Sequence, residues 1–250
     1  MTVKCLNCGH IFKGKYCPNC GQKATVQRLT AALLLKEILH FFTHLESGFL
    51  FTTWKFLVSP GITSLNYIEG KRKEYQKPVS YFLIWTGLYI LLHNSIINYF
   101  HYQLTNETAA QLDIREQSNI LLRHHFTLFI IPVILASALI LYFLLARPRF
   151  NFTELLTLCL FGAGTYFMMT FFSDLILGYV FKVNILSEKV FLWQAVLSSL
   201  YNFWFSFDVF KRIGLRFFWV RLIGGSVLIA ITGWLIMVYL PMAWLYFMVL

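Results

Sequence analysis

Residues 79–100 read VSYFLIWTGLYILLHNSIINYF, and this run decides the fold of the chain. It contains no Lys, Arg, Asp or Glu. A helix needs about 20 apolar residues to cross the hydrocarbon core of a bilayer, so the run predicts a membrane-spanning helix. Its Trp and Tyr residues are side chains that gather where a spanning helix meets the lipid headgroups.

Four further stretches are comparably apolar: residues 126–146, 155–181, 190–207 and 222–240. The stretch at 190–207 is barely long enough to span, whereas 155–181 is long enough to cross at a tilt. Residues 79–250 are therefore predicted to form an all-α, multi-pass transmembrane bundle of about five spans. The apolar tail after Pro241 either prolongs the last helix past a kink or lies at the interface.

The composition agrees with a surface covered by lipid. Of 250 residues, 58% are hydrophobic and 13% are charged, and the mean hydropathy is +0.64. Soluble domains carry about 25% charged residues, because their surface faces water. The net charge of +10 could indicate nucleic-acid binding, but the cations lie mainly before the first span and in short loops. That placement is typical of topology signals, so no nucleic-acid partner is expected.

The distribution of Lys and Arg predicts an orientation. These residues are concentrated before the first apolar run and in the loops after the second and fourth runs. The remaining loops carry only Arg115, Arg123, Lys182 and Lys189. Positively charged loops stay in the cytoplasm, so a cytoplasmic N-terminus and an external C-terminus are expected. The opening MTVKCLNCGH has no apolar core, so the first span is expected to insert as an uncleaved signal.

The N-terminal segment repeats the pattern C-x-N-C-G, which supplies Cys5 and Cys8 and then Cys17 and Cys20. Four thiolates in two C-x-x-C pairs make a tetrahedral zinc shell with no open position, which indicates structural zinc. Disulfides are the alternative, and the reducing cytoplasm disfavours them. Residues 1–24, called the knuckle below, are therefore predicted to be a cytoplasmic zinc knuckle or ribbon. Cys159 lies within a span and is interpreted as an ordinary core residue.

Residues 25–78 are predicted to form short amphipathic helices and a basic juxtamembrane segment. Thr30 can cap a helix that runs to about residue 45, and a second run covers residues 49–58 before a break at Pro60-Gly61. Each piece is too short to cross a bilayer. They could lie flat in the inner leaflet or pack against the bundle, and amphipathicity alone does not separate these alternatives.

Four cations immediately precede the first span: Lys71, Arg72, Lys73 and Lys77. Such a cluster can contact anionic lipid. The alternative is that it only fixes the topology of the first span.

Polar residues near the predicted outer face are a weaker candidate site. His101 ends the first span and His124 and His125 open the second, so the three could form a polar cluster. The alternative is that they are ordinary amphipathic side chains at the interface. Asp174 lies in an apolar stretch, but about 20 residues of helix place it near the outer surface, where hydration is expected.

Several motifs together resemble one family. They are the double C-x-N-C-G pattern, the FKGKYC lead-in from Phe12 to Cys17, the Gly-Gln-Lys exit, Pro60-Gly61 and the IEGKRKEY run. The chain is similar in these to an uncharacterised bacterial membrane-protein family, number 3667 among the domains of unknown function. The resemblance covers about residues 5–80. It implies an inner-membrane protein with an N-terminal zinc knuckle on a helical membrane domain, and it implies no activity.

The functional hypothesis is a non-enzymatic membrane protein whose zinc knuckle docks or stabilises the cytoplasmic face. Its expected partners are membrane lipids, a protein bound at the knuckle, and further copies of the chain. The alternative is a transporter or enzyme that handles a lipid or small molecule in the bundle. The Gly and Pro residues of the spans show no paired symmetry, which disfavours a transporter. No catalytic residues are predicted, because no nucleophile or phosphate-binding motif is present.

Overall fold

The computed structural model describes residues 2–26, 28–34, 48–100, 114–146, 149–214 and 217–249. Its elements are β1 (Val3–Lys4), β2 (Ile11–Phe12), α1 (Phe49–Val58), α2 (Pro60–Ile68), α3 (Pro78–Phe100), α4 (Ile114–Leu141), α5 (Phe152–Asp174), α6 (Glu188–Lys211) and α7 (Phe218–Val249). The π-helical segments Tyr142–Ala146 and Leu175–Val180 prolong α4 and α5. The predicted all-α bundle with a small N-terminal knuckle is confirmed.

The five long helices coincide with the five predicted apolar stretches. Within the described parts of the chain, three segments are long and apolar enough to cross a membrane: Pro78–Tyr99, Phe152–Val180 and Phe218–Phe247. The chain is therefore built as an integral membrane protein. Spanning by α4 and α6 stays a prediction, since the described apolar part of α4 is shorter, Leu128–Leu144. Pro241 lies inside α7, so the tail prolongs the last helix.

Helices α3 and α5 form the centre of the bundle and run parallel. Tyr81 of α3 meets Phe161 of α5, and His93 meets Asp174 about a dozen residues further along both helices. The contact is close because position 164 is Gly. A Cβ there would lie 2.6 Å from the Tyr81 ring. Every larger residue at this position would therefore push α3 and α5 apart.

The remaining long helices pack around this pair in alternating directions. Helix α6 runs antiparallel to α5, because Gln194 pairs with Asp174 whereas Phe205 lies beside Gly162. Helices α4 and α7 pack on each other, and α4 also packs on α5 whereas α7 packs on α6. This alternation is the one expected of a chain that crosses a membrane repeatedly.

Helices α1 and α2 form a hairpin, residues 48–76, that packs into one end of the bundle. Phe56 of α1 is fully buried, and its ring stacks on Phe161 at a centroid distance of 4.5 Å. The Tyr201 hydroxyl donates to the Phe56 carbonyl at 3.1 Å. Of the two alternatives for residues 49–58, packing against the bundle is thus the one observed. The other face of α1 remains apolar and exposed, with Leu50 and Trp54 outermost.

The predicted end of the 49–58 run before Pro60-Gly61 is confirmed, because α1 ends at Val58, but a further helix that was not predicted, α2, begins at Pro60. Proline is favoured at the first helical position, where its missing N–H costs no hydrogen bond. Residues 31–34 form the start of a helix, and the Leu33 N–H donates to Thr30 Oγ1 at 3.4 Å, as the capping prediction required. The rest of that predicted helix, to residue 45, lies outside the described residues.

Candidate functional site

The knuckle builds the same turn twice from its repeated sequence. The Cys5 N–H donates to the His10 carbonyl at 2.8 Å, and the Cys17 N–H donates to the Gln22 carbonyl at 2.8 Å. Gly9 and Gly21 complete the two turns with φ of 77° and 72°, a left-handed conformation that favours glycine. The short strands β1 and β2 flank the first repeat and pair antiparallel. The two C-x-N-C-G sequences therefore adopt the same turn.

The two turns bring the four predicted ligands together. All four Sγ atoms lie within 4.8 Å of one another, with Cys5–Cys20 at 3.5 Å and Cys8–Cys17 at 3.6 Å. Tetrahedral zinc with Zn–S bonds of about 2.3 Å needs sulfurs about 3.8 Å apart. None of these distances is a disulfide, which is about 2.05 Å, and all four thiols are free. The cluster could therefore hold a metal ion.

The surroundings of the thiols explain why a cation suits the cluster. A hydrogen bond from the His10 backbone, followed by one from the Asn19 side chain, lowers the pKa of Cys8 to about 6. Partial burial raises the pKa of Cys20 to about 11. Without a metal, the Cys8 sulfur therefore ionises more readily than an ordinary thiol, and the Cys20 sulfur ionises less readily. A bound metal cation supplies the positive charge that holds all four as thiolates.

Gln22 fastens the knuckle to the loop that ends the hairpin. Its side chain is buried, with 5% exposed. Its Nε2 donates to the Gly70 carbonyl at 2.9 Å, and its Oε1 accepts from the Arg72 N–H at 3.2 Å. Leu6 lies against Gly70, where an added Cβ would be 2.8 Å from the Leu6 Cδ1 atom. The knuckle therefore contacts the hairpin through hydrogen bonds and apolar packing.

A second attachment follows the knuckle in sequence. Arg28 donates twice to Glu154, with Nε–Oε1 at 2.7 Å and Nη2–Oε2 at 2.9 Å. The hydrogen bonds and the charge of Glu154 raise the pKa of Arg28. Glu154 is buried and forms a capping box with Asn151 at the start of α5, while the Asn151 amide also donates to the Leu29 carbonyl. The sequence contains this N-x-x-E capping signature, and our sequence analysis missed it.

The expectation that Asp174 is hydrated at a helix end is wrong. Its side chain is only 1% exposed. Its Oδ2 lies 2.8 Å from His93 Nδ1, and its Oδ1 accepts from Gln194 Nε2 at 2.7 Å. Asp174 does lie at the end of α5, but α3 and α6 place the polar side chains of His93 and Gln194 beside it. A buried ionisable residue within membrane helices is a functional-site candidate.

His93 completes this buried polar site. Its Nε2 atom is buried and has no hydrogen-bond partner among the described residues. A cavity of about 30 Å³, room for about one water molecule, adjoins it and is lined by Tyr89, Tyr166 and Gln194 among others. Since Nδ1 of His93 is already paired with Asp174, Nε2 is the ring nitrogen left for a further group.

A larger cavity of about 480 Å³ lies between α6 and the α4–α7 pair, over α5. Its walls are mostly apolar. The exceptions include Ser198, Asn202 and Ser206, whose spacing of four residues places them on one face of α6. This volume lies in the range of small-molecule and cofactor sites.

Of the four cations predicted to contact anionic lipid, Arg72 and Lys73 line one cleft, and Lys71 and Lys77 do not. Lys71 donates to the Asn66 side chain at 2.9 Å, while the Arg72 guanidinium lies 5.3 Å from the centre of the Tyr67 ring. Lys73 lies beside the knuckle, and Lys77 is half-buried just before α3. His101 and the side chains of His124 and His125 lie outside the described residues.

Comparison with known proteins gives one family match. A family model described as a protein of unknown function (DUF3667) matches residues 46–90, which cover the hairpin and the first half of α3. No curated protein and no solved structure matches the chain. The family resemblance inferred from the sequence motifs is thus confirmed over the hairpin and the start of the first span.

Proposed function

We propose that the knuckle is a zinc-stabilised brace for the cytoplasmic face of a membrane-embedded helical bundle, with no catalytic role. The observation that carries this proposal is the buried Gln22 side chain, which spans from the knuckle to Gly70 and Arg72. A buried amide with both ends paired fixes one geometry, because losing either partner leaves a polar group unsatisfied. Docking of a protein partner would use the outer surface of the same knuckle.

The brace acts on two parts of the bundle. Gln22 holds the loop between the hairpin and α3, and the Arg28–Glu154 pair holds the chain after the knuckle to the start of α5. Since α3 and α5 form the central pair of helices, the Gln22 contact and the Arg28–Glu154 pair both connect the knuckle segment to the core of the bundle. The segment that separates Gln22 from Arg28 is short, so ordering the knuckle also orders the approach to α5.

Zinc is the metal that this donor set favours. Four thiolates at tetrahedral spacing suit zinc, which imposes no geometry of its own. About 20 residues cannot form an apolar core of their own, so metal binding supplies the folding free energy of the knuckle. Elemental analysis of the purified protein should give one zinc per chain. Native protein without zinc, in which all four thiols react with alkylating reagents, would contradict the assignment.

A cytoplasmic location of the brace is supported by the cations at its end of the bundle. Arg28, Arg149 and Lys211 lie at that end, whereas Lys182 and Lys189 lie at the other. We therefore propose a cytoplasmic N-terminus, an external C-terminus and a bacterial inner-membrane location. A reporter fused after Leu250 that is active only in the cytoplasm would contradict this orientation.

The brace is tested by removing its central contact. In Gln22→Ala, the hydrogen bonds to Gly70 and Arg72 are lost while every cysteine remains. Hydrogen–deuterium exchange should show faster exchange at residues 69–76 with zinc still bound. Lys13→Ala is the matched control, because Lys13 is an exposed residue of the same knuckle. Equal exchange of the loop in both variants would refute the brace.

A second function, the handling of a lipid or another apolar molecule, is favoured by the 480 Å³ cavity alone. Ala195 lines this cavity, whereas its neighbour Val196 is exposed and does not. Ala195→Trp should displace co-purified lipid that native mass spectrometry detects, and Val196→Trp should not. Identical lipid retention in both variants would rule this function out.

A further inference from the structure

A cleft of about 390 Å³ separates the knuckle from the loop that follows α2. It is lined by Gly21, Gln22, Lys23, Val26, Arg72, Lys73 and Tyr75. Three of these residues are cations, one from the knuckle and two from the loop. Among the described residues, no Asp or Glu lines the cleft. Residues of both the knuckle and the loop line the cleft, so it is part of the docked arrangement.

The cations of the cleft are positioned before any ligand arrives. Arg72 is fixed by its backbone bond to Gln22 and by its Nε bond to the Tyr67 carbonyl at 2.9 Å. Lys23 forms part of an isolated bridge with Tyr16, which fixes its backbone. Lys23 and Lys73 make no ion pair with any described residue. The charges of Lys23 and Lys73, held on the same cleft as the Arg72 guanidinium, favour an anionic ligand.

The cleft lies at the level of a membrane surface. Tyr75, on its wall, precedes Pro78 by three residues, and Pro78 opens the first candidate span. A lipid headgroup beside α3 would therefore meet Lys73 and Arg72. A soluble phosphate compound could enter from the aqueous side, because the same cleft faces the knuckle.

We infer that this cleft binds a phosphate group, with Lys23, Arg72 and Lys73 as its cationic partners. The inference rests on the proposed function, since a detached knuckle removes Lys23 from the site. Arg and Lys are the residues that proteins use for phosphate, the guanidinium in a fixed fork and the ammonium as a point charge. Phosphate binding would in turn strengthen knuckle docking, since each event favours the same arrangement.

The test compares lysines inside and outside the cleft. Lys23→Gln and Lys73→Gln each remove one cation, whereas Lys13→Gln removes a cation of the same knuckle outside the cleft. Native mass spectrometry measures retention of added phosphatidylglycerol against phosphatidylcholine. Thermal shift with inorganic phosphate, in phosphatidylcholine nanodiscs, measures binding of the free anion. Each cleft variant should weaken binding about fivefold, while the control leaves it unchanged.

The two sources of phosphate give different patterns. Preferential retention of phosphatidylglycerol that the cleft variants abolish identifies a lipid headgroup. A thermal shift with inorganic phosphate that the cleft variants abolish, without any lipid preference, identifies a soluble phosphate. Equal behaviour of Lys23→Gln, Lys73→Gln and Lys13→Gln in both arms overturns the inference. Hydrogen–deuterium exchange of the loop in Gln22→Ala tests the brace separately. A protein whose brace is confirmed but whose cleft binds no phosphate can therefore be recognised.

Discussion

Gly61 is the position at which one added carbon should disturb the attachment of the hairpin to the bundle most. It is the second residue of α2, and its N–H donates to Oδ2 of Asp208 at 2.7 Å. A Cβ at Gly61 would lie 2.5 Å from the carbonyl carbon and oxygen of Asp208. Backbone atoms of α6 cannot rotate away as a side-chain end can. Gly61→Ala therefore forces α2 and α6 apart and breaks the hydrogen bond.

The size of the effect follows from three terms. Overpacking a filled contact costs about 1–3 kcal/mol. Losing a hydrogen bond to a charged group costs about 1.5–3 kcal/mol. The better helix propensity of Ala returns at most about 1 kcal/mol. The free energy of unfolding should thus fall by about 2–5 kcal/mol in Gly61→Ala.

The control is Gly87→Ala in α3, where an added Cβ meets no atom within 4 Å. There the same substitution should stabilise the helix by about 0.5–1 kcal/mol. Denaturant unfolding in one detergent, followed by tryptophan fluorescence, measures both variants against the natural sequence. If Gly61→Ala is as stable as Gly87→Ala, the close contact between α2 and α6 is refuted.

Three further outcomes test the polar contacts. Asp174→Asn should lower the free energy of unfolding by about 1.5–3 kcal/mol, because a carboxylate that accepts two hydrogen bonds is lost; Ser173→Ala, whose buried hydroxyl has no partner among the described residues, should be near neutral. Asn151→Ala should cost about 1 kcal/mol through loss of the α5 cap, and no loss in a thermal melt would contradict the capping box. Metal retention, followed with a zinc-sensitive dye, should weaken as pH falls, because protons compete with the metal for the four thiolates; the pKa of Cys8 is lowered to about 6 without metal, so its share of that loss comes at lower pH than that of an ordinary thiol. Constant retention down to pH 4 would contradict this role of Cys8.

Features that depend on local sequence could be predicted. The five long helices follow from apolar runs of spanning length, and the thiol cluster follows from the repeated C-x-N-C-G pattern, because ligand spacing fixes the turn around a metal. Helix α2 was missed because Pro60-Gly61 was interpreted as a break, although proline also favours the first position of a helix.

Features that depend on neighbouring elements could not be predicted. Asp174 was placed correctly along its own helix, but its environment is set by His93 and Gln194 on other helices. Gln22 belongs to the Gly-Gln-Lys exit among the family motifs, but nothing in that motif tells a buried glutamine from an exposed one. Its partner Gly70 lies 48 residues away, and only the docked arrangement brings the two together. The cationic cleft likewise requires Lys23 to meet the basic loop across that distance.

The most direct test of the brace is a thermal melt of the bundle with and without metal, in the natural sequence and in Gln22→Ala. All 7 Trp residues lie outside the knuckle, so their fluorescence reports on the bundle alone. Chelation should lower the Tm of the natural sequence by several degrees, at about 2–4 °C for each kcal/mol of docking that is lost. In Gln22→Ala, where docking is already weakened, chelation should shift the Tm by less than half as much. An equal shift in both proteins, or no shift in the natural sequence, would contradict the claim that the metal-bound knuckle stabilises the bundle.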